Sequence, residues 1–173
     1  MRLIAYPDRD QLYHGLAKLL AEGLVAAIAE RGHASLSVPG GTTPGPVFDI
    51  LSKMPLDWAK VAVFLNDERW VGADSPRSNT GLLRARLLCG PAAKAKLVPL
   101  YAPAAQPEDQ LAALAEGLAP HLPISVLLLG MGAVVGLSSC NDLSCGEYYK
   151  FVNDKGDAAE VVAWADSQIL GRS

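Results

Sequence analysis

The stretch VAVFLNDERWV, residues 61–71, decides how the rest of the chain is read. Val61 to Leu65 is a continuous apolar run without polar alternation, the pattern of a strand covered on both faces in a parallel sheet. It stops at Asn66-Asp67-Glu68-Arg69, whose side chains need partners or solvent and so mark the strand end. Working outward, Ile124 to Leu129 (ISVLLL) is a second buried run, stopped by Gly130-Met131-Gly132. Ala34 to Val38 (ASLSV) is a third, broken by Pro39-Gly40-Gly41. Arg2 to Tyr6 and Leu97 to Leu100 read as shorter strands.

Helix signals fill the gaps. Asp8 or Asp10 can cap a helix on which Leu12, Leu16, Leu19, Leu20, Leu24, Ala27 and Ile28 recur at three- and four-residue spacing, ending near Arg31-Gly32. Further helices are predicted over Pro44 to Met54, from a cap at Ser78 or Asn79 to about Leu88, and over Glu108 to Ala119. Strands alternating with helices predict an α/β fold, a mostly parallel sheet with helices on both faces.

At 173 residues, with 50% hydrophobic and 19% charged residues, the chain is sized for one globular domain with a real core. The apolar-plus-glycine run Leu127 to Leu137 falls short of the ~20 residues of a membrane span. Pro7, Asp8, Arg9 and Asp10 interrupt any signal-like start, so a cytoplasmic location is expected. Three cysteines without C-x-x-C spacing predict neither a disulfide framework nor a zinc site. A net charge of −3 without a basic cluster argues against nucleic acid or an anionic membrane as partner. The charge is uneven: residues 1–136 carry 12 acidic and 12 basic residues, and residues 137–173 carry 6 and 3. All 12 prolines precede residue 137. A domain over 1–136 followed by a divergent tail over 137–173 is expected. Within the tail, Tyr148 to Val152 resembles a strand and Ala158 to Leu170 a helix.

Ligands of open α/β sheets bind beyond the carboxyl ends of the strands. Pro39 to Pro44, Asn66 to Trp70 and Gly130 to Gly136 each follow a predicted strand, so all three are expected on one rim. Gly40, Gly41, Thr42 and Thr43 offer close backbone approach, N–H groups and hydroxyls ahead of a helix, which suits a phosphate. An ordinary turn with Thr42 or Thr43 as N-cap fits the same residues. Arg69 can grip a phosphate or sugar oxygen, and Asp67 can accept from sugar hydroxyls or orient a proton-transfer group; a solvated, internally paired loop is the alternative. Ser78-Asn79 reads first as a helix cap and second as a substrate contact. The spacing of Gly130, Gly132 and Gly136 fits a dinucleotide loop poorly, even with Asp154 as a ribose-binding acid. His14, His33 and His121 lie outside these loops, leaving no base for a Ser-His-Asp or Cys-His arrangement.

The ordered set PGGTTP, VAVFLNDERWV, SN ahead of a helix, and PISVLLLGMGA resembles the 6-phosphogluconolactonase family, within the group that includes glucosamine-6-phosphate isomerase-deaminases, over residues 1–133. The resemblance implies a Rossmann-like three-layer sandwich, incomplete at its C-terminal end. It also implies hydrolysis of 6-phospho-D-glucono-1,5-lactone in the pentose phosphate pathway, with neither metal nor cofactor. It assigns Gly40, Gly41, Thr42 and Thr43 to the phosphate loop, Asp67 and Arg69 to the polar strand end, and Ser78 and Asn79 to the SN pair. The partner implied is a phosphorylated sugar lactone or sugar acid. Where the family motif reads G-M-G-x-D-G-H-T-A-S-L-F, with its histidine activating water, this chain has Val134, Val135 and Gly136 in place of Asp, Gly and His. Impaired activity is therefore expected, with a non-catalytic phosphosugar-binding protein or an inactive truncated product as alternatives. A frameshift, insertion, fusion or processing event would each produce such a junction.

Overall fold

The computed structural model describes residues 2–131, 134–139 and 147–150, with side chains over 4–130. Among the described residues seven strands form one sheet: β1 (Arg2–Leu3), β2 (Ala34–Val38), β3 (Val61–Leu65), β4 (Lys96–Leu97), β5 (Val126–Met131), β6 (Val134–Ser139) and β7 (Glu147–Lys150), in the order β1-β7-β6-β5-β2-β3-β4. Only the pairings of β6, with β5 and β7, are antiparallel, so the sheet is mostly parallel as expected. The helices are α1 (Arg9–Arg31), α2 (Gly45–Leu51), α3 (Asn79–Arg86) and α4 (Leu111–Leu118).

The elements follow from local chemistry. The Asp8 carboxylate accepts the Gln11 N–H at 2.8 Å and starts α1, and Gly32 ends it at φ 77, its N–H donating to the Ile28 carbonyl at 2.8 Å. By length and composition α1 passes as a membrane span. Here Leu16, Leu20 and Leu24 are fully buried on its inner side, which makes it a core helix. Leu36, Val38, Val63, Leu65, Val126 and Leu128 join them with Phe48, Leu51 and Trp58 in the main core. Strand alternation sends Ala62, Phe64 and Val98 to the other face, against Leu118 and Ile124. α4 covers that face lightly: Leu114 and Leu118 are half-buried and Leu111 is 57% exposed.

Several boundaries differ from the sequence reading for identifiable reasons. β5 starts at Val126, two residues late, because Ser125 is taken up by side-chain bonds: its N–H donates to Ser35 Oγ at 2.9 Å, and its Oγ accepts the Ser35 N–H at 2.8 Å. Arg31 Nη2 donates to the same Ser125 Oγ at 2.6 Å. α2 stops at Leu51, where the Ser52 hydroxyl turns back to the Asp49 carbonyl at 3.2 Å and Pro55 bars a longer helix. The expected helix over 108–119 opens as a 3-10 turn, Pro107–Asp109, before α4. β1 is shorter than the predicted strand over Arg2 to Tyr6. β4 ends at Leu97, although the Val98 N–H still reaches the Val63 carbonyl at 2.9 Å before Pro99 intervenes.

The larger correction concerns Gly130 to Gly136, expected as a rim loop. The backbone instead carries β5 through Gly130 and Met131 and returns antiparallel along Val134–Ser139, with Met131 opposite Val134 and Gly130 opposite Val135. Two adjacent β-branched residues, Val134 and Val135, favour extended backbone over a wide loop. β6 runs across the compositional break at Gly136, and β7 overlaps the strand expected from Tyr148. β5 is thus an interior strand, and among the described residues the sheet edges are β1 and β4. Gly132, Ala133, Asp154 and the helix expected over Ala158 to Leu170 lie outside the described residues.

Leu36 sits in the middle of β2, opposite Val63 on one side and Val126 on the other, with no exposure. Leu36→Ala should lower the unfolding free energy by about 2–5 kcal/mol in urea titrations. A change under about 1 kcal/mol would show that this position is not enclosed.

Candidate functional site

β2 and β3 end side by side, Val38 opposite Leu65, and the two loaded loops leave from that point. Asn66 fastens the rim. Its N–H donates to the Val38 carbonyl at 2.8 Å and its Nδ2 to the Leu128 carbonyl at 2.7 Å, while its Oδ1 accepts from Ser37 Oγ. One asparagine therefore ties the carboxyl ends of β2, β3 and β5 together.

Beyond it the charged residues part company. Glu68 turns to the start of α3, where its carboxylate accepts N–H groups from Asn79 at 2.8 Å, Thr80 at 2.7 Å and Arg69 at 2.8 Å, and the Ser78 hydroxyl at 3.2 Å. Ser78 is the N-cap, accepting from the Gly81 N–H at 3.3 Å. Desolvation pushes the Glu68 carboxyl up, but the hydrogen bonds from Thr80, Asn79 and Arg69 together outweigh it and hold the group below its usual value.

Asp67 and Arg69 stay exposed. Asp67 accepts from the Gly40 N–H at 3.2 Å and from Asn79 Nδ2 at 3.1 Å. Arg69 Nη1 donates to the Arg77 carbonyl at 2.9 Å and to Asn79 Oδ1 at 3.3 Å. Among the described residues it pairs with no carboxylate. Gly41, in the left-handed region at φ 83, donates its N–H to Asn79 Oδ1 at 3.3 Å. Thr42 and Thr43 are exposed, and neither caps α2, whose N-cap is Pro44 without a side-chain bond. Their N–H groups and hydroxyls make no hydrogen bond among the described residues. Half-buried Trp70 donates to the Ala104 carbonyl at 3.0 Å and meets Tyr101 edge-on at 4.9 Å.

The structure thus gathers Gly40, Gly41, Asp67, Arg69, Ser78 and Asn79 into one hydrogen-bonded group, with Thr42 and Thr43 on the loop leaving it. Val134, Val135 and Gly136 stand on β6 beside the end of β5. His33 and His121 precede β2 and β5 and so lie at the opposite, amino ends of the strands, while His14 lies on α1, bonded to the Asp10 carbonyl at 2.8 Å. Glu68 and Asn66 organise the rim without having been singled out from the sequence. The polar cluster ending β3 was their only signal. Among the described residues no group of three or more histidine, cysteine, aspartate or glutamate side chains is placed to hold a metal.

A mostly parallel sheet whose polar loops gather beyond the carboxyl ends of its strands is a Rossmann-like α/β domain, a class in which ligands bind at that rim. The chain belongs to the family described as glucosamine-6-phosphate isomerases/6-phosphogluconolactonase, whose model matches residues 7–133. A 6-phosphogluconolactonase of Mesorhizobium japonicum is 44% identical over 167 residues, covering 96% of this chain and 66% of its own. That alignment therefore takes in sequence beyond Gly136. A 6-phosphogluconolactonase of Pseudomonas aeruginosa is 48% identical over 124 residues, covering 68% of this chain and 50% of its own. Among solved structures, a 6-phosphogluconolactonase from Shewanella baltica superposes with a TM-score of 0.71 at 38% identity, covering 75% of this chain and 56% of that one. The chain spans between half and two-thirds of the length of these relatives.

The Glu68 clamp carries a pH signature. A carboxyl held below its ordinary value stabilises the fold fully above that ordinary value, 4.5, and loses the contribution as pH falls through the lowered one. Glu68→Gln should cost about 1–2 kcal/mol near neutral pH. Thermal melts of both proteins from neutral to acid should show the gap closing below the ordinary glutamate value. A gap independent of pH would show that the charge is not what holds α3 to the loop.

Proposed function

We propose that this chain binds a phosphorylated sugar lactone, or the acid formed from it, at the β2–β3 rim, as a 6-phosphogluconolactonase-type hydrolase of the pentose phosphate pathway with reduced turnover. The observation that carries the reading is Arg69, exposed and free of any carboxylate among the described residues, beside a glycine-threonine loop with spare donors. An arginine fork and unspent N–H and O–H groups are what an anion requires. The relatives named 6-phosphogluconolactonase supply the substrate class.

In this reading Thr42, Thr43 and Arg69 hold the phosphate, with Gly40 and Gly41 letting the backbone approach it. Asp67 faces the sugar hydroxyls. Water then adds to the lactone carbonyl carbon, the ring C–O bond breaks, and the ring oxygen takes a proton to give 6-phosphogluconate. The step calls for donors at the carbonyl oxyanion and a base for the water. Val134, Val135 and Gly136 offer neither an imidazole nor a carboxylate. Loss of a positioned base costs about 10²–10⁴-fold in rate. A cytoplasmic location goes with this substrate.

The same observation supports a second reading, a non-catalytic phosphosugar-binding protein with an intact loop. A lactone-hydrolysis assay corrected for spontaneous opening separates the two. Catalysis above background, falling with Arg69→Ala, is expected from the hydrolase, whereas a rate equal to buffer rejects it. Calorimetric titration with 6-phosphogluconate should show saturable binding, weakened about tenfold or more by Arg69→Ala. Absence of saturable heat would reject the binding-protein reading.

A further inference from the structure

Asn79 is the first residue of α3, and it is only 3% exposed. A primary amide offers two acceptor lone pairs and two N–H donors. In Asn79 all four are used inside the protein. Oδ1 accepts from the Gly41 N–H and from Arg69 Nη1, each at 3.3 Å. Nδ2 donates to the Asp67 carbonyl and to Asp67 Oδ2, each at 3.1 Å. Its backbone N–H is held by Glu68 at 2.8 Å, so the side chain leaves from an anchored point. Gly40 gives it room: a Cβ there would lie 2.0 Å from Asn79 Nδ2.

The three residues that Asn79 grips are among those assigned to the ligand in the reading above. An amide with no hydrogen-bonding capacity left has nothing to offer a substrate directly. We infer that Asn79 is a positioning residue, which sets Arg69, Asp67 and Gly41 in a single arrangement before the phosphosugar arrives. This rests on the rim being the phosphosugar site. Without the amide, Arg69 would keep its bond to the Arg77 carbonyl and Asp67 the one from the Gly40 N–H, each with one fewer tether, and binding would have to supply the rest of the ordering. Asn79 thus acts through the residues it holds, and the glycine at position 40 belongs to the same device.

The test uses the full chain and two ways of removing the contact. Asn79→Ala deletes the amide but leaves the Ser78 cap and the Glu68 carboxylate in place. Gly40→Ala keeps the amide and pushes it off its partners, which covers the case of a poorly folding Asn79→Ala. Either should weaken 6-phosphogluconate binding about 10–100-fold. In an Arg69→Ala background, Asn79→Ala should add much less than it does alone, because its effect passes through Arg69; a merely architectural residue would give additive losses. In the ligand-free protein, nuclear magnetic resonance should show the Gly41 amide and the Arg69 guanidinium signals displaced by Asn79→Ala. Unchanged signals, full affinity or additive losses would each overturn the inference. If wild type fails to bind while those ligand-free signals still move, the site reading falls and the organising role of Asn79 survives.

Discussion

The Glu68 carboxylate meets the open N–H groups of Asn79 and Thr80 at 2.8 and 2.7 Å, and the rim is built on that contact. A buried apolar strand must release its charged end somewhere, and the first turn of a helix must find acceptors for its unpaired donors. Here each requirement answers the other. α3 is held against the loop after β3, which brings Asn79 within reach of Asp67, Arg69 and Gly41. Asp67 and Arg69 are left exposed because Glu68, between them in sequence, points the other way.

Behind that contact, Asn66 joins three neighbouring strands where their regular ladder ends. The amino ends of the sheet are closed by a different device, the reciprocal bonds of Ser35 and Ser125 with Arg31. Polar side chains thus secure both ends of the central strands, while β2 and β3 between them are wholly buried. Loops fixed in this way can hold charged groups in the open, as anion recognition requires.

Membership of the lactonase and isomerase family accounts for the arrangement of sheet and loops, and the match extends over most of this chain. The relatives themselves are considerably longer. Residue 134 directly follows the stretch that the family model matches. There Val134 and Val135 continue as a strand paired with β5. The backbone thereby stays in register with the sheet.

Much of the fold was legible locally. β2 and β3 lie on the runs read as strands, and α1 has as its cap Asp8, one of the two the sequence offers, with a stop at Gly32 near the expected end. The site loops were legible as chemistry, because glycines, threonines and a charged cluster at strand ends restrict what a segment can do. Their partners were not. Glu68 bonds to residues 11 and 12 positions away, and Asn66 to a carbonyl 62 away, distances over which no local pattern carries information. The same limit explains Val134 to Gly136, where glycine spacing suggested a loop and pairing with β5 imposed a strand. The sequence by itself determined the α/β class, the core strands and the kinds of group at the rim, because these follow from hydrophobic periodicity and side-chain chemistry. Only the tertiary structure decided which carboxylate faces solvent and which one caps a helix, because that choice is made by hydrogen bonds between segments far apart in the chain.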